Sequence, residues 1–498
     1  MASITRIPPG DREFFELIAR IAFCNPFTDE RPALDARIVG HPVELFAEAH
    51  LDEMTQIISA RVQKLEEQGM ADVRKYSVSD RALMQIVFLF EIYHQFYREF
   101  DQLILNQVRL GADPAPVGFA AEVLQRMRWR GIAGEEALRF LAFFYQLRRG
   151  FYFIARGLIG QSRSMKEFRR HLFQNVFTED IRVYERCLWN RMEDFSTLLL
   201  GETGTGKGAA AAAIGRSGYI PFNDRQGRFA ESFMRGFVSL NLSQFPELLI
   251  ESELFGHRKG AFTGAVEAHE GVLARCSPYG AIFLDEIGDV SVPVQIKLLQ
   301  VLQDRTFSPV GSHETLRFRG RVIAATNQPL EKLRGQKLFR DDFFYRLSSD
   351  TIFVPTLRQR LQEDPSELRQ LLEHVLAGIT GHCEIELLVR VEEAIVRSVG
   401  KDYSWPGNVR ELAQATRRIL ITGNYEGSET GRDAGRLETL TAAIEAQRLN
   451  ADELLAGYCA LIYDRCRNYE EVARRTNLDR RTVKKYIVGQ QPTPSSPG

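Results

Sequence analysis

The residues with the plainest chemical purpose are Gly201-Glu202-Thr203-Gly204-Thr205-Gly206-Lys207, which follow the apolar run Ser196 to Leu200 and precede the helix-forming Ala209 to Ala213. Glycines at this spacing let successive backbone N–H groups turn inward on a phosphate chain. The following helix N-terminus adds a favourable dipole, and Lys207 neutralises the outer phosphates. Gly208 stands where a Ser or Thr hydroxyl commonly holds magnesium, so the Mg2+ of a bound ATP needs another oxygen ligand. The run Ala281-Ile282-Phe283-Leu284 closes on two acids, Asp285 and Glu286. At the end of a buried strand Asp285 can hold the metal through water, and Glu286 can orient and polarise an attacking water. The plainer alternative for this pair is an acidic cap on the next helix. A third apolar run, Arg321 to Thr326, ends at Asn327, a polar group placed to sense a terminal phosphate. Together these residues point to ATP hydrolysis.

A second chemistry sits near the C-terminus. Residues 465 to 488 carry eight basic side chains (Arg465, Arg467, Arg474, Arg475, Arg480, Arg481, Lys484, Lys485) against Glu470, Glu471 and Asp479. That surplus is an electrostatic footprint for nucleic-acid phosphate. Tyr469 to Thr476 reads as one helix, Asn477-Leu478 as a tight turn, and Asp479 to Val488 as a second helix capped by Asp479 and anchored by Val483 and Ile487. Arg480, Arg481, Thr482, Lys484 and Lys485 are the expected DNA-facing residues.

The elements that must position these groups give a multidomain chain of α and α/β class. Its 498 residues allow about three domains. With 44% apolar and 26% charged residues, disorder and membrane-spanning bundles are disfavoured. The basic and acidic totals, 64 and 65, decide nothing about partners. Six scattered cysteines without a CxxC pair and an N-terminus without a secretion pattern lead us to expect a cytoplasmic protein with no membrane association. Residues 1–157 read as a helical regulatory domain. Ile86, Phe90, Tyr93, Tyr97, Phe100 and Ile104 recur at steps of 4, 3, 4, 3 and 4, which predicts one face of a single helix. A second aromatic cluster runs from Phe140 to Phe153. Aromatic stripes at helical spacing are mostly buried area, so core packing or a dimer seam is expected ahead of a ligand pocket. Residues 158–355 alternate strands and helices, as in a parallel sheet with crossover helices. A helical segment (356–422), a turn-rich linker (423–437), a compact helical domain (438–488) and a disordered tail (489–498) complete the chain.

From about residue 158 onward the sequence resembles the AAA+ bacterial enhancer-binding proteins, transcription activators acting on sigma-54 RNA polymerase. The motif that carries the resemblance is Gly260-Ala261-Phe262-Thr263-Gly264-Ala265, preceded by Glu253-Leu254-Phe255-Gly256-His257. Glycines near both ends suit a mobile loop, and Phe262-Thr263 would form its apolar, hydrogen-bonding tip. The resemblance implies further roles. Ile159, in Ile159-Gly160-Gln161-Ser162, would meet the adenine. Asn241 would pair with the catalytic Glu and relay phosphate status. Arg340 and Arg346, in the segment Phe339 to Leu347, would be arginine fingers for a neighbouring subunit, and Arg410, in Trp405-Pro406-Gly407-Asn408-Val409-Arg410-Glu411-Leu412, would sense nucleotide. The basic C-terminal pair resembles a Fis-type helix-turn-helix.

The implied protein binds upstream activator DNA, assembles a ring with itself, expected to be a hexamer, and uses ATP and Mg2+ to remodel the sigma-54 RNA polymerase holoenzyme. A general AAA+ protein-remodelling ATPase with a DNA-binding domain is the alternative, and a DNA-binding repressor with a degenerate nucleotide site a third reading. The sequence departs from the family pattern at Gly208 and at Arg258, each where Glu is usual, and in a longer stretch from Gly218 to Gly236. Residues 1–157 match no receiver domain, so the signal is expected to be an unknown ligand or regulatory protein.

Overall fold

The computed structural model describes residues 6–43, 48–400, 403–427, 437, 440–441, 443–445, 447–466 and 468–488. It forms two compact units, one of 1–202 with 206–355 and one of 203–205 with 356–498. The tail 489–498, most of the linker and Arg467 lie outside the described residues.

Among its described residues the first unit opens with the α-helices α1 (Pro9–Phe23), α2 (Glu30–Val39), α3 (Glu48–Glu67), α4 (Val78–Gln95), α5 (Tyr97–Leu110), α6 (Ala120–Trp129), α7 (Gly134–Gly157) and α8 (Arg163–Phe177). The expected single aromatic helix is two. Ile86, Phe90 and Tyr93 lie on α4 and Tyr97, Phe100 and Ile104 on α5, divided at Phe96 with φ −115° and ψ 14°. No proline or glycine causes this break. The buried Phe96 ring stacks on Phe119 at 6.0 Å and lies 5.2 Å from the Arg126 guanidinium, so tertiary packing overrides local helix continuity. Phe90, Phe100 and Ile104 are buried in the core, as the spacing predicts, and Ile86, Phe90, Tyr93 and Tyr97 also line a cavity of about 630 Å³.

After the single turn α9 (Ile181–Val183) comes the α/β part: β1 (Thr197–Leu200), α10 (Lys207–Gly215), a hairpin of β2 (Phe222–Asn223) and β3 (Arg228–Phe229), β4 (Phe237–Asn241), α11 (Glu247–Phe255), α12 (Val272–Arg275), β5 (Ala281–Asp285), α13 (Val292–Asp304), a hairpin of β6 (Thr306–Phe307) and β7 (Leu316–Arg317), β8 (Arg321–Thr326), α14 (Leu330–Gly335), α15 (Asp341–Leu347) and β9 (Asp350–Phe353). The main sheet is parallel with order β4-β5-β8-β1-β9. Near-continuous burial of β1, β5 and β8 is what a parallel strand covered on both faces requires. Register places Asn241 beside Asp285, Asp285 beside Ala325, and Leu200 beside Thr326. The polar residues that end these strands therefore gather at one edge.

The long stretch after α10 has a structural role. Its β2–β3 hairpin carries Phe229, whose ring stacks on Tyr145 of α7 at 4.2 Å. The Val117 N–H donates to the Gly227 carbonyl (2.9 Å), and Ser232 Oγ donates to the Gly111 carbonyl (2.6 Å). The helical N-terminal region is thereby fastened to the α/β part, and the two share one hydrophobic core.

The second unit contains α16 (Leu357–Glu363), α17 (Glu367–Thr380), α18 (Ile385–Val399) and α19 (Asn408–Thr422). Its buried Arg360–Glu367 pair, 2.7 Å apart, fastens the start of α17 to α16. Farther along the chain are α20 (Ala451–Cys466), α21 (Tyr469–Thr476) and α22 (Arg480–Val488), gathered on Cys459, Ile462, Val472, Val483 and Ile487.

Candidate nucleotide site and partner loop

The glycine-rich turn begins where β1 stops. Gly204 (φ +81°) and Gly206 (φ +106°) hold backbone conformations that strain any L side chain. Lys207 is the first residue of α10 and is buried. Its ammonium donates to the carbonyls of Gly201 (2.8 Å) and Glu202 (3.1 Å), closing the loop around the charge that a phosphate would meet. Gly208 brings no oxygen, as its residue type requires.

Across the sheet edge, β5 delivers Asp285 and Glu286. Glu286 takes a left-handed backbone (φ +58°), and its N–H donates to the Asp285 carboxylate (3.1 Å). The Asn327 N–H, just past β8, donates to Glu286 Oε2 (3.3 Å). Burial pushes the Glu286 carboxyl above the ordinary range, opposed by the Asn327 N–H and by Lys207. A carboxylate raised in this way and held by a neighbouring strand is suited to orienting water and taking its proton. Among the described residues no group of three His, Cys, Asp or Glu forms a metal cage. That donor set fits magnesium, which is commonly held by one or two carboxylates together with substrate phosphates. Asp285 would supply the protein ligand. Asn241 ends β4 beside Asp285 in the sheet register, and its Oδ1 accepts from Ser243 N–H (3.0 Å) and Oγ (2.8 Å). Ile159 lies in the turn between α7 and α8.

Both finger candidates are held by local partners. Arg340 precedes α15 and pairs with Asp342 (2.6 Å). Arg346, on α15, donates to the Leu302 carbonyl at the end of α13 (3.0 and 2.9 Å).

Within the second unit, Arg410 lies in the first turn of α19. A Cβ built on Gly204 would come within 2.9 Å of the Arg410 Cβ and 2.2 Å of the Gly407 carbonyl oxygen, so the backbone approach demands glycine. Asn408, which the sequence offers only as part of the Arg410 motif, has a role of its own. Fully buried with φ +51°, it accepts from the Leu357 N–H (2.8 Å) and donates to the Thr203 carbonyl (3.1 Å). An Asn beside a glycine at a helix start was the available signal.

The loop from Gly260 to Ala265 follows α11. Gly260 (φ +80°) and Gly264 (φ +101°) frame it, the Gly260 N–H donates to the Ala265 carbonyl (2.8 Å), and the Ala265 N–H donates to the Phe262 carbonyl (3.0 Å). Phe262 is 38% exposed and rests edge-on against His257 at 4.9 Å. Thr263 is exposed at the tip. The base is firmer: His257 exchanges backbone hydrogen bonds with His269, and its ring sits between Ser252 Oγ (2.7 Å) and the Glu267 carbonyl (3.0 Å). Arg258 pairs with Glu314 (3.0 Å), and its N–H donates to the Val310 carbonyl (3.1 Å), so the reversed charge has its own acid in the segment joining β6 to β7.

Residues 170–353, which contain this loop and both acidic residues, match the family described as Sigma-54 interaction domain. The chain carries a sigma-54 interaction domain. The sigma-54-dependent transcriptional activator SfnR of Pseudomonas putida is 39% identical over 230 residues, covering 46% of this chain and 57% of the relative. A Nif-specific regulatory protein of Klebsiella pneumoniae is 42% identical over 228 residues, covering 46% and 40%. A crystal structure of NtrX from Brucella abortus in complex with ATP aligns over 75% of this chain and 80% of that one, at 21% identity and a TM-score of 0.42. The chain spans about half the length of the curated relatives it matches. The sigma-54 interaction domain is an α/β domain of AAA+ type, its parallel sheet presenting the phosphate loop and acidic pair at one edge.

In the C-terminal helices, Asp479 caps α22 by accepting from the N–H groups of Arg481 (2.7 Å) and Thr482 (3.2 Å). Val483 and Ile487 are buried, while Arg481, Lys484 and Lys485 are exposed. Thr482 Oγ1 donates to Asp479, and Arg480 pairs with Glu470 (3.0 Å). Asn477 makes the turn at φ +56°. No helix among the described residues is long and apolar enough to cross a membrane.

Proposed function

We propose that the protein is a sigma-54-dependent transcription activator that hydrolyses ATP in a ring of its own copies and drives the Gly260–Ala265 loop against the sigma-54 RNA polymerase holoenzyme. The observation that carries this reading is the exposed Phe262 and Thr263 at the tip of a two-glycine loop, in the same domain as the phosphate turn and the Glu286 carboxylate. An exposed aromatic on a hinged tip suits an element covered by a partner during part of a cycle.

In this reading Lys207 and the N–H groups of the glycine turn hold the ATP phosphates, and Asp285 holds the magnesium, which supplies charge neutralisation on the phosphates. Glu286 orients the attacking water and takes its proton. Asn327 positions Glu286 through its backbone N–H and reports the terminal phosphate. Ile159, Asn241 and Arg410 read the nucleotide. Arg340 or Arg346, released from Asp342 or the Leu302 carbonyl, reaches the neighbouring subunit's phosphate; such a contribution is worth about 10³ to 10⁵ in rate. Upstream DNA binds α22 through Arg480, Arg481, Thr482, Lys484 and Lys485, which concentrates the ring near its promoter.

The test is opening of a sigma-54 promoter by full-length protein with ATP. The native protein opens it, and Glu286→Gln binds ATP yet does not. Promoter opening by Glu286→Gln at the native rate would overturn the reading.

A further inference from the structure

The cavity in the helical region, about 630 Å³, falls within the roughly 300–1,000 Å³ typical of small-molecule sites. Its walls come mainly from α1, α2, α3, α4 and α7, chiefly apolar and aromatic side chains such as Leu89, Phe90, Phe144 and Phe151. Exposed Glu136, Arg182 and Arg186 line it as well, so it reaches solvent.

The polar groups on its walls define what it would accept. Arg31 is held by Asp35 (2.9 and 3.0 Å), and Arg148 by Asp101 (2.6 and 2.5 Å). His50 Nε2 lies 3.5 Å from the same Asp35, while its buried Nδ1 has no hydrogen-bond partner. Arg31 and Arg148 are each matched to an acid and Arg186 is exposed to solvent, so a charged occupant of the interior would be desolvated without compensation. His94 differs. Its Nδ1 is 2.9 Å from the Phe90 carbonyl, and burial holds its pKa at about 3, so the ring is neutral and Nδ1 must be the donor. Nε2 then carries a lone pair in an apolar wall, an acceptor for one donor.

The same helix that lines the cavity grips the phosphate turn's helix. On α7, Phe144, Leu147, Arg148 and Phe151 face the cavity. The intervening Arg149 is fully buried and donates to the carbonyls of Arg216 (2.6 Å) and Gly218 (2.7 Å), just past the end of α10. Gln146 donates to the Ser217 carbonyl (2.9 Å). The Arg149 cation and one further donor, Gln146, complement the negative end of α10, whose other end is Lys207.

We propose that the cavity binds a neutral, largely apolar small molecule carrying one hydrogen-bond donor, and that α7 transmits its occupancy to the phosphate-binding helix α10. This goes beyond the sigma-54 activator reading and does not rest on ATP turnover. Cavity walls and α10 share α7 as a rigid element, so a shift of one is felt by the other through Arg149.

The test uses full-length protein and N-phenyl-1-naphthylamine, a neutral aromatic probe with one N–H. Fluorescence titration should give saturable binding of one probe per chain. Leu147→Trp on α7 and Ala22→Phe on α1 should each weaken it at least tenfold by filling the space; either folded variant suffices. His94→Phe should weaken this probe at least fivefold but leave 1-benzylnaphthalene, which has CH2 in place of N–H, within twofold. Probe binding should change amide hydrogen exchange across residues 207–218 at least threefold in the native protein and not in Arg149→Met. Absence of saturable binding, or binding untouched by cavity filling, overturns the site; equal loss of both probes in His94→Phe overturns the acceptor role; unchanged exchange at 207–218 overturns the coupling.

Discussion

At the junction of α7 and α10 a fully buried arginine holds two backbone carbonyls and Tyr145 stacks on Phe229 at 4.2 Å. At the Gly260–Ala265 loop the backbone hydrogen bonds are local, and Phe262 keeps 38% of its surface in solvent. One region cannot shift without leaving buried polar groups unpaired; the other can rearrange about Gly260 and Gly264 at little cost. The difference suits them to the opposite tasks proposed for them, a fixed coupling at the end of α10 and a moving contact at the loop.

The largest expected effect lies at the head of the fixed region. Lys207→Ala should weaken ATP binding more than about 100-fold, because the buried ammonium sits inside the glycine turn, where it would meet the phosphates. Equilibrium titration with a fluorescent ATP analogue checks it; near-native affinity would remove Lys207 from the site. The coupling itself is broken by Arg149→Met, which strands the carbonyls of Arg216 and Gly218 and should cost about 2–4 kcal/mol in urea unfolding. Phe262→Ala should change the same unfolding free energy by less than about 0.5 kcal/mol, as surface changes do. Comparable losses in both would erase the contrast.

Acid sharpens it further. The folded-state pKa of His94 lies at about 3, below the ordinary value of 6.5, so between these limits the unfolded chain binds the extra proton. His94 therefore leaves stability untouched above pH 6.5 and removes up to about 1.4 kcal/mol per unit as pH falls toward 3. His94→Phe should flatten that part of the stability profile, measured by urea unfolding at successive pH values. An unchanged slope would mean that His94 is not held neutral.

These contrasts show what the sequence could and could not disclose. The phosphate turn, Asp285, Glu286 and Asn327 were legible because each is a local pattern, an apolar strand ending on a polar residue, and a parallel sheet brings such ends together whatever its strand order. The division at Phe96 was not legible, since it depends on Phe119 and Arg126 arriving from elsewhere in the chain. The same holds for the cavity: helical spacing reveals that a face is apolar, not whether the opposing faces meet. The role of Asn408 escaped notice because its two partners, Leu357 and Thr203, are distant in sequence. The stretch from Gly218 to Gly236 contained Asn223-Asp224 and Gly227, enough for a hairpin, yet nothing local says that Phe229 finds Tyr145.

The smallest effect is expected at the C-terminal helices. Lys484→Ala should lower the slope of log affinity against log salt by about 0.9 for DNA, the release expected from one phosphate contact. An unchanged slope would place Lys484 away from the backbone.

The most direct measurement follows ATP turnover and sigma-54 promoter opening on the same preparations of native, Phe262→Ala and Thr263→Ala protein. Both substitutions sit at the exposed tip, far in sequence from Lys207 and from the strand ends that carry the acids, so turnover should stay within about threefold of native while promoter opening falls at least about 30-fold, roughly 2 kcal/mol of lost partner contact. Promoter opening that survives both substitutions would contradict the assignment of the loop as the element that acts on sigma-54.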